Sequence, residues 1–381
     1  MSDTVPVNDR TVPRRLAQQN ETSTSTRIVG FDVARAYAIL GMYVVNFQAI
    51  FGDLGDTSAV GRFMGLFAGN SSSAFVMLAG IGCSMLTWRP AADAVERRRL
   101  RSIVVRRSWF LFVVGLLLYT WWPADILHFY GGYMHLAALL LFAPARRLLF
   151  AAAACVVAFH ALLVVVPYET GWNFDTLVYG DFWSVAGFLR NTFYNGWNPI
   201  FPWAAFFFVG MWLGRCDWSS RRFRWRLALI SAGVCVATQV LQLLARRGHF
   251  SEDATMYVLA DYLPPFAVFM ASTASTALLV VLACVVIAER FAVSRIVRAL
   301  AATGQCTLTL YIGHLTLGMV VLGALLSRSY STATQDGDPT ASSWILAYCA
   351  LTFVLSVLLC VAWKRRFRHG PLEALMRRIS G

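Results

Sequence analysis

The stretch from Glu96 to Arg147 reads ERRRLRSIVVRRSWFLFVVGLLLYTWWPADILHFYGGYMHLAALLLFAPARR, and it decides the fold. It opens on arginines, runs apolar, turns around Pro123-Ala124-Asp125, runs apolar again and closes on Arg146 and Arg147. Two apolar runs between two basic ends describe a helical hairpin that enters and leaves a bilayer on one side. The same pattern repeats in both directions along the chain. Twenty-seven of the 33 Lys+Arg fall in six clusters: Arg10 to Arg27, Arg89 to Arg107, Arg146/Arg147, Arg215 to Arg226, Arg290 to Arg298 and Lys364 to Arg378. Each cluster after the first follows two apolar segments, so all six share one face. The other face keeps only Arg62, Arg190, Arg246, Arg247 and Arg328, and Arg35 sits inside the first segment. The positive-inside rule makes the crowded face cytoplasmic, with both termini inside.

The apolar segments run approximately over 29–51, 63–87, 108–123, 130–145, 148–167, 198–214, 227–246, 265–288, 299–326 and 343–363. Each must satisfy its own backbone polar groups in lipid, so each is expected to be a helix. The fold class is therefore all-α: a polytopic integral membrane helix bundle of about ten transmembrane helices in a cell membrane. A polar leader over 1–26 is expected to be disordered, 27–368 to form the membrane domain, and 369–381 to be a cytoplasmic tail. At 58% hydrophobic and 14% charged, the chain is too apolar for an ordinary soluble domain. The net charge of +13 sits beside the membrane segments, where it fixes orientation and touches headgroups, so nucleic acid is not the expected partner. The eight cysteines lie in apolar runs without ligand spacing, which argues against a disulfide framework and against a metal site.

Ionisable groups at membrane depth are costly, so they are the site candidates. Asp32 and Arg35 sit three apart near the inner end of the first segment, on one helical face. They either pair with each other or hold an Arg ready for an anionic ligand from the cytoplasm. Asn46 follows three turns later near the same face. Asp125 and His128, again three apart, pair a carboxylate with an imidazole, the combination that makes a good general base. The alternative for them is an ordinary loop cap. Thr307, Tyr311 and His314 form a polar stripe on an apolar helix and should face the bundle interior. The loop 168–198 carries many aromatics, which read either as an interfacial belt or as a lid over an outward cavity.

These residues resemble a known family. Gly30-Phe31-Asp32-Val33-Ala34-Arg35, followed by Asn46, is similar to the opening helix of the transmembrane acyltransferase superfamily. Ala124-Asp125-Ile126-Leu127-His128-Phe129-Tyr130 resembles a motif of its YeiB-like bacterial branch. Asn198-Pro199-Ile200-Phe201-Pro202-Trp203 resembles a helix shared with heparan-alpha-glucosaminide N-acetyltransferases. Gly304 with Leu308-Thr309-Leu310-Tyr311 and His314 resembles the late helix. The resemblance implies acyl transfer from cytoplasmic acetyl-CoA, or another acyl-CoA acting as co-substrate with no bound cofactor, to a hydroxyl or amine on a glycan or small molecule outside. In that reading Arg35 and Asp32 face the acyl-CoA, and Tyr311 and Trp203 face substrate. His128 with Asp125, or His314, supplies the base, and Asn46 or Tyr311 steadies the oxyanion. The chain departs from the family in having Asn46 where one branch has a histidine, and no histidine over 52–62. Expected partners are the lipid bilayer, the acceptor and, as an open expectation, a second copy of the chain. A proton-coupled transporter and a non-catalytic protein on the same scaffold stay as alternatives.

Overall fold

The computed structural model describes residues 27–87, 93–174, 176–259, 262–328 and 339–381. The expected disordered leader at 1–26 lies outside the described residues. In chain order the helices are α1 (Val29–Phe51), α2 (Ala59–Gly65), α3 (Asn70–Thr87), α4 (Ala94–Tyr119), α5 (Leu127–Leu140) and α6 (Ala145–Val165). A two-strand ribbon, β1 (Trp172–Asn173) and β2 (Val178–Tyr179), precedes α7 (Val185–Arg190) and a π-helical turn at Asn191–Asn195. Then come α8 (Ile200–Leu213), α9 (Arg221–Arg246), α10 (Glu252–Val258), α11 (Ala267–Arg290) and α12 (Arg295–Gly304). The chain ends with α13 (Thr307–Gly313), a π-helical turn at His314–Gly318, α14 (Met319–Leu325), α15 (Ser342–Lys364) and α16 (Pro371–Ser380). Helix starts follow local chemistry. Ser58, Asp93, Ser184, Ser220, Ser251 and Ser294 each accept a hydrogen bond from a backbone N–H two or three residues on.

Among the described residues, eight helical segments are long and apolar enough to cross a membrane, against about ten expected. The other two expected segments are the 14-residue helices α5 and α8. Each is about 21 Å long by helix rise, short of a hydrocarbon core of about 30 Å. Both are instead largely enclosed within the bundle. α8 is buried over nearly its whole length and packs on α3, α5 and α6. Its crossing with α3 uses reciprocal glycines: a Cβ on Gly80 would sit 2.1 Å from the Phe207 carbonyl, and one on Gly210 2.1 Å from that of Met77. Small residues at such crossings let two backbones close up where no hydrophobic force drives helices together. By contrast α6, α9 and α15 bury only 22% of their apolar windows and turn leucine and valine outward.

Three further segments differ from the sequence reading, the first being that expected over 63–87, which is divided between α2 and α3 by a turn at 66–69. The third helix begins at Ala94, 14 residues before the apolar run at 108, because the Asp93 cap and a Glu/Arg-rich stretch favour helix outside hydrocarbon too. The segment expected as one helix over 299–326 is broken. α12 stops at Gly304, which abuts α1 so closely that a Cβ there would lie 1.8 Å from the Asp32 carbonyl. The chain turns at Gln305 and Cys306 and restarts as α13. The restart is capped from outside: Glu373 of α16 accepts from the Leu308 and Thr309 backbone N–H groups at 2.7 and 3.2 Å and from the Thr309 hydroxyl at 2.6 Å. The last residues are thus a helix packed on α4 and α13.

Candidate functional site

Asp32 is 2% exposed and carries three partners. Its Oδ1 accepts from Arg35 Nη1 at 2.7 Å, while Oδ2 accepts from Arg27 Nε at 2.7 Å and from Gln305 Nε2 at 3.2 Å. Arg35 also donates to the Leu78 carbonyl at 3.3 Å, and its side chain remains 23% exposed. The exposure is into a cavity of about 500 Å³, a size ordinary for a small-molecule site. Arg27, with a side chain 61% exposed, marks its mouth. Along α3 the lining runs from Leu86 to Phe75, about 16 Å of helix. Its deep end is closed by Phe75, Leu127 and Tyr130. Tyr130 is buried, and its hydroxyl has no hydrogen-bond partner among the described residues. A recess of about 730 Å³ lies beside it and shares Arg27, but it is lined by Asp217 and Glu289 and holds no buried ion pair among the described residues.

Just past the deep end lie Asp125 and His128, both 0% exposed. Asp125 Oδ2 accepts from the His128 backbone N–H at 3.0 Å and pairs with His128 Nδ1 at 3.2 Å. The Tyr311 hydroxyl accepts from the Ile126 N–H at 3.2 Å and reaches Asp125 Oδ1 at 3.5 Å. His128 Nε2 has no hydrogen-bond partner among the described residues. A Cβ on Gly115 would lie 2.1 Å from the His128 nitrogen, so α4 passes directly against the start of α5.

The third group is one turn further along α13. His314 Nε2 meets Asn46 Nδ2 at 2.9 Å, and its Nδ1 lies 3.3 Å from the Leu310 carbonyl. A ring nitrogen facing a carbonyl must donate, which leaves Nε2 to accept from the Asn46 amide. The ring is sandwiched by Tyr43, Phe47 and Tyr311 at centroid distances of 4.9, 5.9 and 5.2 Å. Thr307 and Leu308 line the cavity, Tyr311 reaches Asp125 and His314 meets Asn46, so α13 and the π-helical turn after it string the three groups in order. Trp203 stands apart. It packs against Phe206, Tyr262 and Phe269 in the core and does not line the cavity.

The loop after α6 folds over His128. Asn195 ties it together by accepting from Tyr179 through its side chain and donating to the Tyr168 and Thr170 carbonyls; Arg190 grips Asp181 at 2.7 Å. Phe182 stacks on Tyr119 with centroids 3.6 Å apart, and both rings edge onto His128 at 5.9 and 5.7 Å. Residue-type reasoning missed the rest of the cavity wall: Arg107, Gln305, His369, Glu373 and Arg377. The one available signal was Pro371 followed by Leu372 and Met376 four apart, a helix start with a short apolar face inside a basic tail.

Helices apolar on every side, and carboxylate, guanidinium and imidazole groups sunk among them, define a multi-pass membrane protein. Residues 27–248 match the catalytic-domain model of heparan-alpha-glucosaminide N-acetyltransferase. That is more than half of the chain, and the chain belongs to this family of membrane acetyltransferases. Residues 211–381 also match a family described as proteins of unknown function, DUF418. The two matches overlap over 211–248, so neither marks off a separate unit. No curated protein matches the chain.

Proposed function

We propose that the protein is an acyltransferase that takes an acyl group from acyl-CoA at its arginine-bearing end and passes it to a hydroxyl or amine acceptor arriving from the other side. The observation that carries this reading is a cavity that runs from Arg27 and Arg35 to Leu127, one residue from a buried Asp125–His128 pair whose Nε2 has no hydrogen-bond partner among the described residues. Arg27 and Arg35 suit an anionic donor, and the apolar passage between Phe75, Leu127 and Tyr130 suits its uncharged arm. Asp125 holds the Nδ1 proton of His128, which leaves Nε2 to accept the acceptor's proton as its oxygen or nitrogen attacks the thioester carbonyl. The tetrahedral intermediate then collapses, the C–S bond breaks, and the CoA thiolate leaves. The Tyr311 hydroxyl stands nearest to steady the oxyanion, with Asn46 one turn beyond.

His128 is preferred to His314 as the base because both His314 nitrogens are already engaged. The glucosaminide named for the family makes an amino sugar the first acceptor to try. The test is purified protein in detergent with radiolabelled acetyl-CoA and a panel of amino sugars. Transfer that survives in wild type and vanishes in His128→Ala supports the reading. Wild-type protein that neither binds acetyl-CoA nor hydrolyses it would remove it.

A further inference from the structure

The cavity wall carries seven ionisable side chains besides cysteine and tyrosine: Arg27, Asp32, Arg35, Arg107, His369, Glu373 and Arg377. Both carboxylates are spent. Asp32 is shared by Arg27, Arg35 and Gln305, and Glu373 caps the start of α13. Arg107 and Arg377 therefore face the same cavity with no ion pair among the described residues. Arg107 gives its Nε to the Ser380 hydroxyl at 3.2 Å, which leaves both Nη groups without a hydrogen-bond partner there. Arg377 stands on α16 close enough for the two guanidinium charges to repel. His369, neutral or positive in any state, cannot offset them, and burial followed by the positive charges of Arg377, Lys364, Arg368 and Arg27 holds its imidazole below the ordinary histidine range. Two like charges held together without a counter-ion are the arrangement a doubly charged anion relieves, and a guanidinium fork matches phosphate oxygens two at a time.

We infer that Arg107 of α4 and Arg377 of the last helix together form a phosphate-binding subsite at the cavity mouth. The ligand chemistry is a phosphate ester, carried either by a nucleotide-type soluble molecule or by a lipid headgroup. If the acyl-CoA reading is right, the soluble source is the phosphorylated nucleotide end of that donor, and to this extent the subsite rests on that reading. The last helix then belongs to the binding site rather than to a tail. Its Glu373 staple fixes Arg377 relative to α13, the helix that carries Tyr311 and leads into the turn bearing His314.

The experiment is calorimetric titration of the full chain in neutral-lipid nanodiscs with CoA, with dephospho-CoA and with inorganic pyrophosphate. A parallel arm measures thermal stabilisation by short-chain phosphatidylglycerol against phosphatidylcholine. Variants are Arg107→Ala, Arg377→Ala and the conservative Arg377→Lys, with Arg378→Ala as an exposed control outside the cavity lining; monodispersity and melting confirm folding. The expected result is that Arg107→Ala and Arg377→Ala each weaken CoA about tenfold, as loss of a charged hydrogen bond does, and erase its advantage over dephospho-CoA. Arg377→Lys should recover part of the affinity, and Arg378→Ala should bind like wild type. If CoA fails to bind but pyrophosphate binds and is lost in the same variants, the subsite stands and the acyl-CoA reading falls. If only phosphatidylglycerol responds to the variants, the subsite stands and its source is lipid. If no phosphate compound distinguishes the variants from wild type, the subsite is overturned.

Discussion

His128 and His314 are both buried imidazoles beyond the closed end of the cavity, yet they differ in their hydrogen bonds. Asp125 accepts a hydrogen bond from the Nδ1–H of His128 and leaves Nε2 without a partner among the described residues, whereas Asn46 and the Leu310 carbonyl occupy both nitrogens of His314. His128→Ala is expected to lower acetyl transfer by about 10²–10⁴-fold, the usual worth of a positioned base, with CoA affinity unchanged. His314→Ala is expected to act chiefly on stability. It strands the Asn46 amide in the core, at about 1–3 kcal/mol, read as a lower melting midpoint in detergent. A folded His314→Ala protein as inactive as His128→Ala would reverse the two roles. At the other end of the site, Asp32→Ala removes the one carboxylate shared by Arg27 and Arg35. Because Arg35 keeps partial exposure, the cost should fall near the low end for a broken buried pair, about 3 kcal/mol. The melting midpoint measures it, and a variant as stable as wild type would mean that water in the cavity already solvates Arg35.

Helices bring these residues together through glycine contacts that leave no room for a methyl group. Gly115→Ala sets a Cβ against the His128 backbone, so it should push α4 off α5 and cost about 1–3 kcal/mol together with much of the transfer activity. Gly233 in α9 meets nothing within 4 Å, so Gly233→Ala should stabilise by about 0.4–1 kcal/mol and leave activity alone. Paired melting curves and transfer rates check both, and equal effects from the two would mean that the α4–α5 crossing is not close. Element by element, hydropathy found the long helices because lipid-facing surfaces such as those of α6 and α15 must be apolar. It could not show that α5 and α8 are short and enclosed, because a core helix and a spanning helix are equally apolar. Nor could it show the break between α12 and α13, which depends on Gly304 meeting α1 and on a carboxylate from 65 residues further along the chain. The Asp125–His128 and Asp32–Arg35 pairs were legible because their partners sit one turn apart. Asn46 and His314 are 268 residues apart, so only folding reveals them as a pair.

Across the whole molecule, charge and depth run together. Among the described residues, arginines from four of the six sequence clusters gather at one end in space. Arg215 binds the Ala143 and Leu141 carbonyls at the end of α5 at 2.5 and 2.9 Å, Arg224 meets Glu289, and Arg27, Arg107 and Arg377 border the cavity. The other end carries hydrogen bonds between loops and helix ends, such as Ser342 with Asp56 and Gln48 with the Asp53 carbonyl, and the aromatic cap over His128. If the cavity admits the proposed acyl-CoA, the arginine end must face the cytoplasm, where positive charge is retained during insertion. The prediction is that a cysteine at exposed Ala374 in α16 is shielded from a membrane-impermeant maleimide on intact cells and becomes reactive after lysis. A cysteine at exposed Ala186 in α7 should react on intact cells. The native cysteines are buried or half-buried, so the unaltered chain supplies a low background. The opposite labelling pattern would put the cavity mouth outside and deny a cytoplasmic acyl-CoA any route to Arg35, leaving the helices in place but removing the proposed direction of transfer.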